Sequence, residues 1–552
     1  MASSIRPGPL AGRTRLRTTI IALAALAVAA AATLGPRVFS AAADEFDGAH
    51  CDVPGGVPGT SDSLLPDPFT MTDGSPVTTT AEWECRRAEI KELAERTIYG
   101  DKPDPPSSVS GSVSSSNITV NVSDQGASTS FSASVTTPGG SGPFPAVIVY
   151  GGFGADTDTI LGAGAAIIEY DPGSVGAEGT GRNNKQGAFY DLYGSSSGTG
   201  VLMAQAWGVS RIIDVIEQSG GNILTNSTGV TGCSRYGKGA FVAGAFDQRI
   251  DLTMPIESGT GGVPAMRSIA QESDAQPLSS AYDEEPWLGD AFSSYTGNPS
   301  GLPVDTHEIV GMIAPRGLFI MENPHVDWLG ATSGSVAALG GAEIYDALGA
   351  GNNISYWSDV SDGTHCASRS EWQSPLQQSI QAFLHDSGQA PGVFRVSSSK
   401  SGNLDQWRNW QTPTLEDGPG ETSEPPETSE PPETSEPPET SEPPETSEPP
   451  ETTQPPAGDC SAVIEVVNDW GSGWQANVSV TGPTDGWTLS WNWPGSQGIS
   501  SSWNAQISES GSSVTASDVG WNGGIASGQT QQVFGFIGSG PATEPTVTCN
   551  SN

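Results

Sequence analysis

Residues 421–456 consist of five copies of Glu-Thr-Ser-Glu-Pro-Pro and one variant, Glu451-Thr-Thr-Gln-Pro-Pro. The stretch holds eleven glutamates, no basic residue and no apolar residue to bury. Its like charges repel and its proline pairs favour extended polyproline II, so no hydrophobic core can pass through it. The 552-residue chain must therefore fold as separate units joined by a spacer of roughly 100 Å, at about 3 Å per residue. The boundaries read as a leader over 1–43, a first folded unit over 44–411, a disordered Pro/Glu-rich linker over 412–458 and a second unit over 459–552.

Arg6, Arg13, Arg15 and Arg17 precede an apolar run from Thr19 to Leu34, and Ala41-Ala42-Ala43 supplies small residues for cleavage. Together they read as a secretory signal, with an uncleaved anchor as the alternative. The expected location is extracellular. Cleavage after residue 43 removes five arginines and no acid, taking the net charge from −41 to −46. Nucleic acid and anionic membrane surfaces are excluded as partners on that ground. Six cysteines in an exported chain suggest disulfides, with 15 pairings formally open. Cys51 and Cys85 lie close together at the start of the first unit, Cys460 and Cys549 bracket the second, and Cys233 and Cys366 remain as the third pair. That third bridge would close a long loop, worth about 4 to 5 kcal/mol in the chain-entropy model; two buried thiols are the alternative.

In the first unit, apolar β-rich runs alternate with helical patterns. The strands read as Ala146–Tyr150, Asn226–Thr231, Leu252–Ile256, Gly317–Met321 and Ile354–Ser358, and the helices as Gly200–Ser219, Gly237–Phe246, Ala342–Leu348 and Ser374–His385. This order predicts a parallel sheet wrapped by helices, an α/β-hydrolase three-layer sandwich, with chemistry beyond the carboxyl ends of the strands. Ser234 falls at a strand-to-helix turn between Gly232 and Gly237. Glycines on both sides let the backbone turn sharply and expose the hydroxyl. The spacing Gly-x-Ser-x-x-Gly is one residue wider than the common elbow, so partners elsewhere must support it. Nucleophile, acid and base in chain order are met by Ser234, Glu257 and His365. An imidazole can take the serine proton and return it to a leaving alcohol, while a carboxylate fixes its tautomer. Among five histidines, His365 sits in a late loop beside Cys366, and His307 is the runner-up base. Glu322 and Asp327 are the alternatives to Glu257. Arg235 and Lys238 flank the nucleophile as donors for an oxyanion; an exposed Lys238 with no role is the alternative. No ligand cluster of metal spacing appears, and no metal or organic cofactor is expected.

These blocks resemble the glucuronoyl esterases, carbohydrate esterase family fifteen: Gly232-Cys233-Ser234-Arg235-Tyr236-Gly237-Lys238, Glu257-Ser258-Gly259, Ile313-Ala314-Pro315-Arg316-Gly317, Asp327-Trp328-Leu329-Gly330 and His365-Cys366. The resemblance covers most of residues 80–390. It implies cleavage of esters between glucuronic acid of glucuronoxylan and lignin alcohols. It carries catalytic roles to Ser234, Glu257 and His365, an oxyanion role to Arg235, and sugar-binding roles to Lys238, Trp328, Gln276 and Glu284. Trp328 also fits a core position. Fungal members have a further cysteine pair, one partner of which would fall in Gly262-Val263-Pro264-Ala265-Met266, where this chain has none. That departure leaves Glu322 open as the acid. An acetylxylan or feruloyl esterase is the alternative enzyme, and a non-catalytic cell-wall-binding protein the alternative class.

The second unit changes to short alternating runs rich in Trp, Ser, Gly, Thr and Val, including Val463–Val467, Ala476–Thr481, Trp487–Trp493 and Gln531–Phe536. Period-two patterning of this kind predicts a small all-β sandwich. It resembles the family-two cellulose-binding modules through Asn468–Trp474, Gly486–Leu489, Ser502–Ala505 and Gly520–Gly523. The resemblance implies a planar strip of Trp470, Trp503 and Trp521 stacking on glucose rings, with Trp487 in the core and Asn522 and Gln506 adding hydrogen bonds. The protein is expected to act as a monomer.

Overall fold

The computed structural model describes residues 45–46, 48–416, 460–469, 474–484, 486–503, 505–519, 522–526 and 528–551. The leader over 1–43 and most of the 412–458 linker lie outside the described residues. Among those described, no helix is long and apolar enough to cross a membrane.

The first unit is built on a ten-stranded sheet: β1 (Ser108–Val113), β2 (Asn117–Asp124), β3 (Ala127–Thr136), β4 (Phe144–Tyr150), β5 (Ala166–Tyr170), β6 (Leu224–Cys233), β7 (Ile250–Ile256), β8 (Gly317–Met321), β9 (Ile354–Trp357) and β10 (Phe394–Arg395). The spatial order is β1-β2-β3-β5-β4-β6-β7-β8-β9-β10. Every pair from β5-β4 to β9-β10 is parallel, as the alternation of strands and helices predicts. β1, β2, β3 and β5 pair antiparallel, an extension not foreseen from the sequence. Its strands are rich in Ser and Thr, and only β2 and β3 alternate clearly between buried and exposed.

Both faces of the sheet are covered, giving the expected three layers. Ala146, Ile148 and Tyr150 of β4 join one hydrophobic cluster, and Val147 and Val149 join the other. Helices Val201–Gln218 and Arg235–Phe246 lie close to their expected spans. The helix expected at Ala342–Leu348 begins at Ala331 instead and runs to Ala347. Its first half is mostly Ala, Ser, Thr and Gly, with Val336 the one large apolar residue before Leu339, which carries little apolar periodicity but permits close packing: a Cβ on Gly340 would stand 2.9 Å from His307 Cβ on the neighbouring helix Thr306–Ile313. Contacts of this unit continue beyond 411. Thr412 bonds the Glu343 carboxylate, Leu415 joins the core, and Glu416 bridges to Thr79.

The second unit is two four-stranded antiparallel sheets, made of β11 (Ser461–Asp469), β12 (Trp474–Thr481), β13 (Trp487–Asn492), β14 (Gly498–Trp503), β15 (Gln506–Ser510), β16 (Ser513–Ser517), β17 (Thr530–Ser539) and β18 (Thr548–Ser551). Trp474, Trp487, Trp491 and Trp493 fill its core. Trp487 stacks on Phe534 at 5.6 Å, as expected of a core ring. Asn522 departs from expectation: it is buried, its amide nitrogen donates to Val533 O at 2.8 Å and its oxygen accepts from Val519 N. That amide braces the fold and is not free to bind sugar. Trp470 and Trp521 lie outside the described residues, as does the side chain of Trp503.

Glu45 ties the start of the first unit to its interior. Its carboxylate meets Lys102 Nζ at 2.7 Å, Arg211, and Arg249 at 3.7 Å. Burial raises its pKa, but Lys102, Arg211 and Arg249 outweigh that and hold it at about 2, below the ordinary 4.5. The stabilisation is therefore full above pH 4.5 and lost as pH falls towards 2. Glu45→Gln leaves buried cations short of counter-charge and is expected to destabilise the protein by about 3 kcal/mol at pH 7. Denaturant unfolding should show that gap closing below pH 4.5; a gap independent of pH would contradict the account.

Candidate active site

β6 ends at Cys233 and the next helix begins at Arg235, leaving Ser234 alone at the turn with φ 62° and ψ −127°. A non-glycine residue rarely adopts this conformation, and strain of this kind clusters where a side chain must be presented. The two glycines explain the wide motif. A Cβ on Gly232 would meet Tyr236 O at 2.6 Å, and one on Gly237 would meet Ile256 O at 2.5 Å. Gly237 is thus the position where the helix presses on the end of β7. Ser234 N donates to the same Ile256 carbonyl at 2.9 Å.

Glu257 follows β7 directly, with φ 45°. Its buried carboxylate is the meeting point of the site. Oε2 bonds His365 Nδ1 at 2.6 Å and accepts from Cys366 N at 3.0 Å, and Oε1 accepts from Arg369 Nη1 at 2.7 Å. The pairing assigns the proton of His365 to Nδ1 and leaves Nε2 as the basic nitrogen. Cys233 and Cys366 are joined as a disulfide, so the residues that follow and precede them, Ser234 and His365, are brought to one place. Cys51–Cys85 and Cys460–Cys549 are bridged as well. No hydrogen bond among the described residues joins Ser234 Oγ to His365. Contacts of this type often close only when substrate binds.

The alternatives fall elsewhere. Ile256 and Met321 face one another across β7 and β8, so Glu257 and Glu322 leave adjacent strands at the same level. Only Glu257 reaches the histidine. Glu322 is buried with no side-chain hydrogen-bond partner among the described residues, and burial, then the charge of Glu257, pushes its pKa up to about 8. Asp327 is exposed and pairs with Lys400 at 3.0 Å. His307 stacks on Trp410 and bonds Pro66 O at 3.0 Å within the core. Burial holds its pKa down at about 4.

Around the serine, Lys238 is buried rather than exposed. Its Nζ donates to Ser258 O at 2.5 Å, and burial lowers its pKa to about 8. Trp328 is 45% exposed, too open for a core ring, and meets His365 edge-on at 4.8 Å between centroids. Gln276 Nε2 donates to Glu284 Oε2 at 2.6 Å. Arg235 is exposed and pairs with Glu178 at 2.9 Å. Three residues of the site escaped the sequence reading. Arg369, four positions after His365, bonds Asp362 O and Thr364 O as well as Glu257, and so braces the histidine loop from within. Trp287 lies with its ring 5.1 Å from Lys238 Nζ. Glu178 had no motif to mark it. Ligand atoms also cluster at Cys233, Glu257, His365 and Cys366, and at His50, Cys51 and Cys85. In both clusters the sulfurs are consumed by disulfides, which leaves fewer than the three protein ligands a zinc site takes.

If Glu257 orients the base, Glu257→Gln should lower kcat on an ester substrate by about 10⁴-fold, because the amide favours the wrong tautomer. Glu322→Gln should keep most of the rate. The raised pKa of Glu322 means its carboxyl is tolerated below pH 4.5 and destabilises as pH rises through about 8. Glu322→Gln is therefore expected to melt higher than the parent at pH 8 and alike at pH 4. Equal rate losses for the two variants would contradict this assignment.

Comparison with known proteins gives the family. A sequence profile described as glucuronyl esterase of fungi matches residues 120–349, and one described as a cellulose binding domain matches residues 460–552. The 4-O-methyl-glucuronoyl methylesterase of Hypocrea jecorina is 41% identical over 375 residues, covering 67% of this chain and 80% of that one. The enzyme of the same name from Neurospora crassa is 40% identical over 374 residues, covering 66% and 93%. The solved glucuronoyl esterase catalytic domain of Hypocrea jecorina superposes with a TM-score of 0.62 at 40% identity, covering 66% of this chain and all of that one. A mutant glucuronoyl esterase from Sporotrichum thermophile, solved in complex with methyl 4-O-methyl-beta-D-glucopyranuronate, gives 0.63 at 38% identity, covering 66% of this chain and 100% of that one. With relatives about 40% identical and covered over 80% or more of their length, the chain belongs to the glucuronoyl esterase family.

Proposed function

We propose that this protein is an exported serine esterase that hydrolyses esters between glucuronic acid, with or without a 4-O-methyl group, of glucuronoxylan and the alcohols of lignin, held near its substrate by attachment to cellulose. The observation that carries the reading is the Glu257–His365 pair set beside the serine turn by the Cys233–Cys366 bridge. Ser234 Oγ attacks the ester carbonyl as His365 Nε2 takes its proton, and Glu257 steadies the imidazolium that forms. The guanidinium of Arg235 stabilises the negative charge on the carbonyl oxygen. Collapse expels the alcohol, which takes the proton back from His365, and leaves glucuronoyl on Ser234. Water, deprotonated by the same imidazole, then attacks the acyl-enzyme; Ser234 Oγ leaves with that proton from His365, and the acid released ionises to glucuronate.

Lys238, Gln276, Glu284 and Trp328 are the groups for the sugar, and Trp328 offers the ring a flat face beside the base. The ester is neutral at its carbonyl while the product is an anion, so the acidic chain does not repel the first and favours release of the second. The Glu/Pro repeat serves as the tether between the catalytic unit and the cellulose-binding module, and the protein works as a monomer. Support for export comes from the Arg-rich, apolar leader and from the three disulfides.

Ser234→Ala should abolish hydrolysis of benzyl glucuronate while leaving the melting temperature unchanged; turnover near the parent rate would rule out the mechanism. The parent should prefer that substrate to acetylated xylan and to feruloylated arabinose, and the reverse order would favour the alternative esterases. Replacing Trp503 and Trp521 by alanine should remove most retention on microcrystalline cellulose without changing the rate on the soluble ester. Unchanged retention would count against the tryptophan strip.

A further inference from the structure

Arg235 stands on the first residue of its helix with its side chain 44% exposed. A free arginine there would sample many rotamers, and the freedom would have to be lost each time charge develops on the substrate. One carboxylate removes it. Glu178 Oε2 accepts from Arg235 Nη1 at 2.9 Å, and Glu178 Oε1 accepts from Trp287 Nε1 at 2.6 Å. Each oxygen is thus used once, on a different wall of the site. Arg235 Nε and Nη2 make no hydrogen bond among the described residues and remain to donate to a ligand.

Glu178 is itself held. Gly179 N donates to Glu285 Oε2 at 2.6 Å. Arg182 donates to Leu288 O at 2.8 Å and Tyr282 O at 2.5 Å, and lies over the Tyr282 ring at 3.5 Å. The 178–182 loop is therefore stitched to the 282–290 segment, which also carries Glu284. The Trp287 ring, fixed through its nitrogen, faces Arg235 at 5.7 Å and Lys238 at 5.1 Å.

We infer that Glu178 is a positioning residue for the esterase reaction, presetting the Arg235 guanidinium against the Trp287 wall so that oxyanion donation needs no reordering. The inference rests on the reading of Arg235 as the oxyanion donor. The carboxylate also offsets part of the guanidinium charge. Orientation and charge thus oppose one another, and the amide variant separates them.

The test measures kcat, KM and melting temperature on benzyl glucuronate for Glu178→Ala and Glu178→Gln, each in the parent and in the Arg235→Ala background. Glu178→Ala in the parent is expected to lower kcat about ten-fold with KM changed less than about two-fold. Glu178→Gln, which removes the charge and keeps one acceptor oxygen for one of the two partners, should recover part of the loss. In the Arg235→Ala background, Glu178→Ala should change kcat by less than about two-fold, since the group it acts through is gone. An equal loss in both backgrounds, or parent-like kcat for Glu178→Ala beside a large loss for Arg235→Ala, overturns the inference while leaving the oxyanion reading in place. Parent-like kcat for Arg235→Ala overturns the oxyanion reading and this inference with it.

Discussion

The carboxylate of Glu257 is the constraint on which the site is built. A buried anion without partners is costly enough that it would be protonated or the fold would open. Here it is surrounded by three donors: the imidazole of His365, the amide of Cys366 and the guanidinium of Arg369. All three come from one loop, residues 365–369, while the carboxylate belongs to the end of a central strand. The same contacts that satisfy the charge thus dock the base-bearing loop onto the sheet. The Cys233–Cys366 bridge fastens that loop to the serine turn, and Arg369 carries the anchoring inwards through Thr364 O and Asp362 O. Chemistry and loop structure share one set of hydrogen bonds.

A second set of contacts defines where substrate charge can be met. The chain is strongly acidic, yet Arg235 and Lys238 sit together beside the nucleophile, with Trp287 facing both. Burial lowers the Lys238 pKa towards 8, which makes it a group whose charge responds to its surroundings. Trp328, exposed on the histidine side, supplies a flat apolar face, while Trp287 is buried beneath the arginine side. The two cations are thus set among carboxylates, with Glu178 paired to Arg235, in a chain that is acidic throughout.

Much of this was legible in the chain because it is written locally. The strand–helix alternation predicts the parallel part of the sheet, since strands buried on both faces read as apolar runs. The glycines around Ser234 mark the turn, and the scarcity of histidine narrows the base to few candidates. Other parts carried no such signal. The Ser- and Thr-rich strands β1–β3 form an antiparallel edge whose weak apolar content resembles loop. The helix Ala331–Ala347 is rich in small residues, two of which, Gly340 and Gly341, let it pack closely on Thr306–Ile313, and this blurs its periodicity. Asn522 reads as an exposed polar group in a binding motif, but the sandwich closes over it and uses its amide internally.

By itself, the sequence determined the residue types, their order and the points where the backbone must turn, because these depend on neighbours within a few positions. It left the acid open among Glu257, Glu322 and Asp327, and it said nothing of Glu178 or Arg369. Which carboxylate meets His365, and what Glu178 and Arg369 contact, were decided by tertiary structure alone. Glu257 and Glu322 leave paired strands at the same level, so no local pattern separates them. Only the three-dimensional course of the 365–369 loop delivers an imidazole and a guanidinium to one carboxylate and leaves the other buried without a side-chain hydrogen bond among the described residues. Hydrogen bonds act over about 3 Å of space whatever the distance along the chain, and the partners of a charge therefore become known only once the chain has folded.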